Sequence, residues 1–242
     1  MPHDGGNARL RTTTGARAML VATFCALGAA VLHAAWNLAL KQGGDRYIAA
    51  SLQFLFGGLI FLPVMLAAGP PGSEALAWLG VSTVIHVGYV TALTRAYHNG
   101  DFSMAYPLAR GSGALLAALG GAVLLGDTVP FGGVLGTLIV GAGLLVLMQL
   151  GGTRAAYAWA LATGVLIASY TLVDTQGSRA SNGLGYAAAQ GMTVGVALTA
   201  AGVANGKSRQ LVVAAARSWR RYAAAGTASV MAYGLVLIAV NH

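Results

Sequence analysis

Four short stretches of this chain place chemically capable residues close together. His33 and Asn37 are four apart with Trp36 between them, so on a helix they share one face. Imidazole titrates near neutral pH, so His33 could carry a proton or hydrogen-bond a substrate; the alternative is a hydrogen bond that only fixes helix packing. His86 stands one turn before Tyr89 and reads either as a ligand or proton carrier or as a satisfied core histidine. Tyr106 and Pro107 precede Arg110. Proline favours the first turn of a helix, which would make Arg110 an anchor near the helix end. An apolar run already under way at Met104 would instead carry it more than a turn inside, where it would attract a carboxylate or phosphate.

Tyr170 and Asp174 are again four apart. Tyr170 could stack on a planar substrate, and Asp174 could pair a cation or hold a proton. Its place near the end of an apolar run favours a wetted carboxylate. Arg95, with Thr91 and Thr94, closes another run and reads as a side chain that snorkels to the surface. Gln53 and Gln190 read as hydrogen bonds between helices. The chain has no phosphate-cradling Walker motif, no HExxH, no Cys/His set with metal spacing and no recognisable nucleophile motif. ATP as a direct driver, a bound metal and a cofactor are therefore not expected, nor is an enzyme.

The elements that position these residues follow from composition. Of 242 residues, 57% are hydrophobic and 8% are charged, against about 25% charged in soluble domains. Six acidic side chains cannot solvate a globule of this size, so the chain reads as a membrane protein. Its 14 basic residues then concern loops and lipid headgroups, not nucleic acid. One cysteine excludes an internal disulfide.

Eight apolar runs have the length of membrane spans: 18–40, 47–68, 75–97, 104–125, 131–150, 156–174, 184–204 and 226–242. The first follows Arg9, Arg11 and Arg17 but is too long for a signal peptide and lacks a cleavage site. Turn formers separate the runs, as in Gly69-Pro70-Pro71-Gly72 and Ser181-Asn182-Gly183. The connector 205–225 is different. Leu211, Val212, Ala215, Trp219 and Tyr222 gather on one side of a helical wheel, and Lys207, Arg209, Arg217, Arg220 and Arg221 on the other. That pattern predicts a helix lying in the membrane interface, with anionic lipid as a partner of 207–222. Gly132 with Gly136, and Gly191 with Gly195, are GxxxG pairs read as helix packing.

The chain also repeats itself. Gly88-Tyr89 precedes Tyr97-His98 as Ala232-Tyr233 precedes Asn241-His242, an offset of 144. Leu40-Lys41-Gln42-Gly43 and Asp174-Thr175-Gln176-Gly177 close runs one and six, an offset of 134. These matches predict a five-helix unit over 1–150 and a second copy over 151–242. An odd number of spans turns the second copy upside down, the inverted repeat of secondary transporters. Two further helices are expected beyond the third helix of the second unit.

His33-Ala34-Ala35-Trp36-Asn37, the stretch from Gly100-Asp101-Phe102 through Tyr106-Pro107-Leu108-Ala109-Arg110-Gly111, and Gly126-Asp127 together resemble bacterial EamA-type members of the drug/metabolite transporter superfamily. The family usually has Glu where Asp127 stands. The resemblance implies an all-α fold of ten helices in two inverted repeats, both termini cytoplasmic, in the bacterial inner membrane. It also implies a central cavity that carries small metabolites or drugs, often outward, by alternating access. Side chains of runs one, three, four, six and eight would line the path: His33, Trp36, Asn37, His86, Tyr89, Tyr106, Arg110, Tyr170 and Tyr233, with His33, His86 or Asp174 carrying any coupled proton. A homodimer is compatible with this reading. Two other classes compete: an intramembrane enzyme handling a phosphorylated lipid, and a non-transporting assembly subunit.

Overall fold

The computed structural model describes residues 5–42, 44–149 and 151–240. Gly43, Asn241 and His242, which carry parts of the repeat matches, lie outside them, as do the side chains of Arg9, Arg11 and Arg17. The described residues form α1 (Gly5–Lys41), α2 (Arg46–Ala68), α3 (Ser73–Asn99), α4 (Phe102–Leu124), α5 (Phe131–Gln149), α6 (Arg154–Arg179), α7 (Gly183–Ala204) and α8 (Ser208–Val240), with no strand among them. All eight helices are long and apolar enough to cross a membrane. The molecule is a multi-pass helical membrane protein, and its lipid-facing surface is apolar, with Val84, Val123 and Phe131 largely exposed.

Local chemistry sets the helix starts. The Asp45 carboxylate accepts from the backbone N–H of Tyr47 and Ile48, and the Asn182 carbonyl accepts from Leu184 and Gly185 in the same way. The Thr153 hydroxyl caps α6 through Ala156. Gly206, at φ +74°, turns the chain from α7 into α8 in a conformation that L side chains rarely adopt.

Two expectations are refined and three change. The connector 205–225 and run eight are continuous in α8 as two helical segments joined across a kink. The Ala-rich stretch Ala223–Ala225 favours helix, and the only departure is a bend at Ser218 (φ −135°, ψ 23°). The expected lipid-facing stripe also divides: Leu211 is buried against Ile48 and Leu52 of α2 with Ala215 and Tyr222 beside it, while Val212 and Trp219 stay exposed. Of the two placements open for Arg110, the structure has the inner one: α4 starts five residues before Pro107, which therefore sits inside the helix. α6 runs five residues past Asp174, so that carboxylate is fully buried, not wetted. Gly132 and Gly136 meet nothing within 4 Å, whereas Gly191 and Gly195 do pack.

The core of the bundle is α2 laid antiparallel along α7, with α3 against α6 and α1 against α8. A Cβ built on Gly58 would lie 2.4 Å from Met192 Cα, and one on Gly195 would lie 2.4 Å from Leu55 N. Those backbones touch because both positions are glycine; lipid offers no hydrophobic drive between helices, and close approach replaces it. Gly57 and Gly226 bring α2 equally close to α8. α4 packs on α6, and α5 packs on α4 with no buried residue of its own. Successive spans alternate in direction, so the starts of α2, α4, α6 and α8 share one side of the membrane with the ends of α1, α3, α5 and α7. That side carries Lys41, Arg46, Arg95, Arg154, Lys207, Arg209, Arg217, Arg220 and Arg221.

Candidate functional site

A cavity of about 330 Å³ opens between α1, α4, α6 and α8. Most of its wall is small or apolar, including Ala30, Gly113, Ala114, Ala117 and Ile167. Six of the residues singled out from sequence line it: His33, Tyr106, Arg110, Tyr170, Asp174 and Tyr233. A smaller pocket adjoins it, sharing His33, Tyr170 and Tyr233, and adds Trp36, His86 and Tyr89. Nine of the ten sequence-derived candidates thus converge on one region, brought in by five helices. Asn37 is the exception. Its Nδ2 donates to His33 O (2.8 Å) and its Oδ1 accepts from Tyr97 Oη (2.7 Å). With both ends of the amide satisfied and the side chain fully buried, Asn37 fixes α1 to α3.

The two histidines differ in what they have left to offer. An indole N–H only donates, so the bond from Trp36 Nε1 to His33 Nδ1 (3.0 Å) makes that nitrogen an acceptor and puts the His33 proton on Nε2. That Nε2–H has no protein partner among the described residues, and His33 lines the cavity. His86 is the reverse. A carbonyl only accepts, so His86 Nδ1, 2.9 Å from Ser82 O, carries the proton. Its Nε2 then accepts from Gln190 Nε2 at 2.7 Å. Tyr170 stacks on the ring with centroids 4.0 Å apart, and Tyr89 meets it edge-on at 5.9 Å. His86 is a satisfied neutral imidazole that organises the wall; His33 presents a free donor.

Phe54 of α2, which sequence reasoning passed over, joins the histidines. Its ring lies 6.4 Å from Trp36 and 6.5 Å from His86. The result is a continuous aromatic wall from His33 through Trp36, Phe54 and His86 to Tyr170 and Tyr89. Such edge and stacked contacts contribute about 0.5–1.5 kcal/mol each beyond burial.

Charge enters from opposite ends. Arg110 stands two turns into α4, and its buried Nη1 has no hydrogen-bond partner. Asp174 Oδ1 accepts from Tyr186 Oη at 2.9 Å, while its buried Oδ2 has none. The Tyr233 hydroxyl is likewise buried, with the Asp174 carboxylate beside it. Tyr170 neighbours both Arg110 and Asp174. Tyr186 was not among the sequence candidates; nothing in its own helix marks it, because its role lies in a partner on another helix.

The remaining candidates are structural. Arg95 lies over the Trp159 ring at 4.7 Å, an exposed cation–π contact outside the cavity. Gln190 serves His86, and Gln53 is buried with its Nε2 unpartnered. Asp127 pairs with Arg179 at 3.5 Å, both exposed. No group of three or more His, Cys, Asp or Glu that could hold a metal ion occurs among the described residues. Comparison with protein-family models, with curated proteins and with solved structures finds no match to this chain.

Proposed function

We propose that this protein is a secondary transporter of small polar molecules, of the drug/metabolite transporter kind that its motifs resemble, working in a bacterial inner membrane. One observation carries the reading: a cavity inside an apolar bundle is lined by His33, Arg110, Asp174 and Tyr233, with Arg110 beside only the hydroxyls of Tyr106 and Tyr170, Asp174 beside only those of Ser82, Tyr186 and Tyr233, and no protein charge among the described residues pairing either one. Unpaired polar and ionisable groups at membrane depth are costly, and they are retained where a substrate or ion satisfies them. A cation and a carboxylate flanking Tyr170 favour a substrate with separate acidic and basic ends. The acidic end would pair with Arg110, the basic end with Asp174, and a planar part would lie along Tyr170. Any coupled proton belongs to Asp174 or His33, since both nitrogens of His86 are engaged within the protein.

Helix pairing supports alternating access between inverted repeats. Exchanging α1 with α6, α2 with α7 and α3 with α8 maps the α2–α7 contact onto itself and swaps α3–α6 with α1–α8, and α2–α8 with α3–α7. A shift of 137 residues carries Asp45 to Asn182, both N-caps, and Gln53 to Gln190. The same shift carries Leu55 to Met192 and Gly58 to Gly195, and the two close contacts exchange: Gly58 meets Met192 and Gly195 meets Leu55. Reciprocal contact of this form is what a local two-fold axis produces, and transporter sites lie where such repeats meet. The basic residues gathered at the α2 start favour that side as cytoplasmic, the reverse of the orientation the family resemblance implies.

The test is reconstitution in sealed vesicles with a panel of zwitterionic, anionic, cationic and neutral metabolites, alongside binding in detergent by thermal shift. Zwitterion flux that Arg110→Gln lowers at least tenfold is expected, since a hydrogen bond to a charged group is worth about 1.5–3 kcal/mol. Chemical turnover in detergent without a closed compartment would instead favour the lipid-handling enzyme.

A further inference from the structure

A second recess lies away from the central cavity, at the membrane surface between the start of α2 and the first three turns of α8. It encloses about 800 Å³. α8 has 33 residues, about 50 Å of helix at about 1.5 Å per residue, against a hydrocarbon core of about 30 Å. The stretch from 221 to the helix end suffices to cross that core, so 208–220 stands at headgroup level. α2 begins at Arg46 on the same side, which places the recess where the leaflet meets water.

Its lining is divided. Arg209 and Arg217 mark its polar edge with Gln210 and Ser218, and Val213 and Tyr222 form an apolar floor. Asp45 also borders it, but that carboxylate is occupied: Oδ2 pairs with Lys207 Nζ at 2.8 Å and Oδ1 caps α2. The two arginines have no acidic partner among the described residues. Neighbouring cations are otherwise engaged, Arg220 over the Trp219 ring and Arg221 on the carbonyl of Ala39. The bend at Ser218 falls within the recess and separates the surface segment of α8 from its span.

We propose that this recess binds one anionic phospholipid, its phosphate between Arg209 and Arg217 and the upper part of an acyl chain against Val213 and Tyr222. A soluble anion would satisfy the arginines and leave that floor uncovered. A zwitterionic lipid would bring its own cation against them. Position, charge and the apolar floor therefore agree on a lipid that carries net negative charge.

The experiment is native mass spectrometry of the full chain in mild detergent, titrated with short-chain phosphatidylglycerol, phosphatidylcholine or inorganic phosphate. One tightly held phosphatidylglycerol is expected, with phosphatidylcholine weaker. Arg209→Gln/Arg217→Gln should weaken it about thirtyfold, at about five- to sixfold per basic residue near an anionic surface. Arg154→Gln/Arg220→Gln removes the same charge from the same side outside the recess and should leave the binding unchanged. Val213→Trp fills the floor without altering charge and should also displace the lipid. Equal weakening by the two arginine pairs, or full binding in Val213→Trp, would overturn the site. Displacement by millimolar inorganic phosphate would reassign it to a free anion.

Discussion

Gln53 and Gln190 occupy matching places on α2 and α7, both are buried, and they should respond to the same substitution with opposite signs. Gln190 Nε2 donates to His86 Nε2. At Gln53 the same amide nitrogen has no partner. Gln190→Leu removes a bond worth about 0.6 kcal/mol on average in membrane bundles. It also leaves the His86 lone pair buried and unpaired, because Nδ1 is committed to Ser82 O, at a cost of about 1–3 kcal/mol. The sum is a loss of about 2–3 kcal/mol. Gln53→Leu keeps the volume and deletes an unsatisfied donor, a gain of about 1 kcal/mol. At roughly 2–4 °C per kcal/mol for a chain of this size, thermal unfolding in detergent should rise by about 3 °C for Gln53→Leu and fall by about 7 °C for Gln190→Leu. His86→Leu added to Gln190→Leu should cost less than the two single changes summed, since the orphaned lone pair goes with the ring. Tm shifts of the same sign for the two leucine variants, or an additive double variant, would refute the tautomer assignment and the account of the wall built on it.

Two further outcomes follow from geometry alone. Gly58→Ala and Gly195→Ala each drive a methyl group into backbone of the facing helix and should destabilise the fold by about 1–3 kcal/mol. Gly132→Ala and Gly136→Ala meet only open space and should raise thermal stability slightly through helix propensity, by about 0.5–1 kcal/mol; equal effects at the two pairs in a melting assay would sink the close-approach argument. Burial pushes the Asp45 carboxyl up, but the hydrogen bonds from Lys207 and from the Ile48 and Tyr47 N–H groups outweigh it, so the group sits below the usual carboxylate range. Its stabilisation of the α2 start is therefore present above the ordinary carboxylate pKa and lost as pH falls through the lowered one. Asp45→Ala should flatten the acid limb of the melting curve below the ordinary carboxylate pKa, and a limb unchanged in that variant would count against it.

What the sequence pattern could and could not reveal divides along one line. The apolar runs placed all eight helices, because a span must satisfy its backbone internally and the bilayer sets its length. Pairs four residues apart on one helix, such as His33 with Asn37 or Tyr170 with Asp174, were visible because helical geometry fixes them. Partners across helices were not. Tyr186 on Asp174, Gln190 on His86 and Tyr97 on Asn37 depend on helix rotation and register, which no local period encodes. The first segment of α8 was legible as a basic amphipathic helix, but its rotation was not: a helix face that packs on α2 and one that lies on lipid have the same apolar signature.

The proposed repeat meets the same limit. Offsets of 144 and 134 fit the loops around α3 with α8 and around α1 with α6, yet neither aligns α2 with α7, where N-caps, glutamines and glycines agree at 137. Connector lengths drift while helix interiors hold register, so a single offset along the chain could not find them all. Once both registers are applied, the pairing of Phe54 with His86 corresponds to that of Gly191 with Val230. A ring contact in one half answers to two small aliphatic groups in the other. Valine at 230 is also why Gln53 lacks the partner that Gln190 finds in His86. Under the proposed repeat the close-approach glycines correspond, whereas the imidazole and its aromatic stack have no counterpart. If such a pair of units moves one against the other, the stack of His86 and Tyr89 on Tyr170 holds α3 to α6, and the α1 side, where the His33 Nε2–H has no protein partner among the described residues, is the side with a bond still to form.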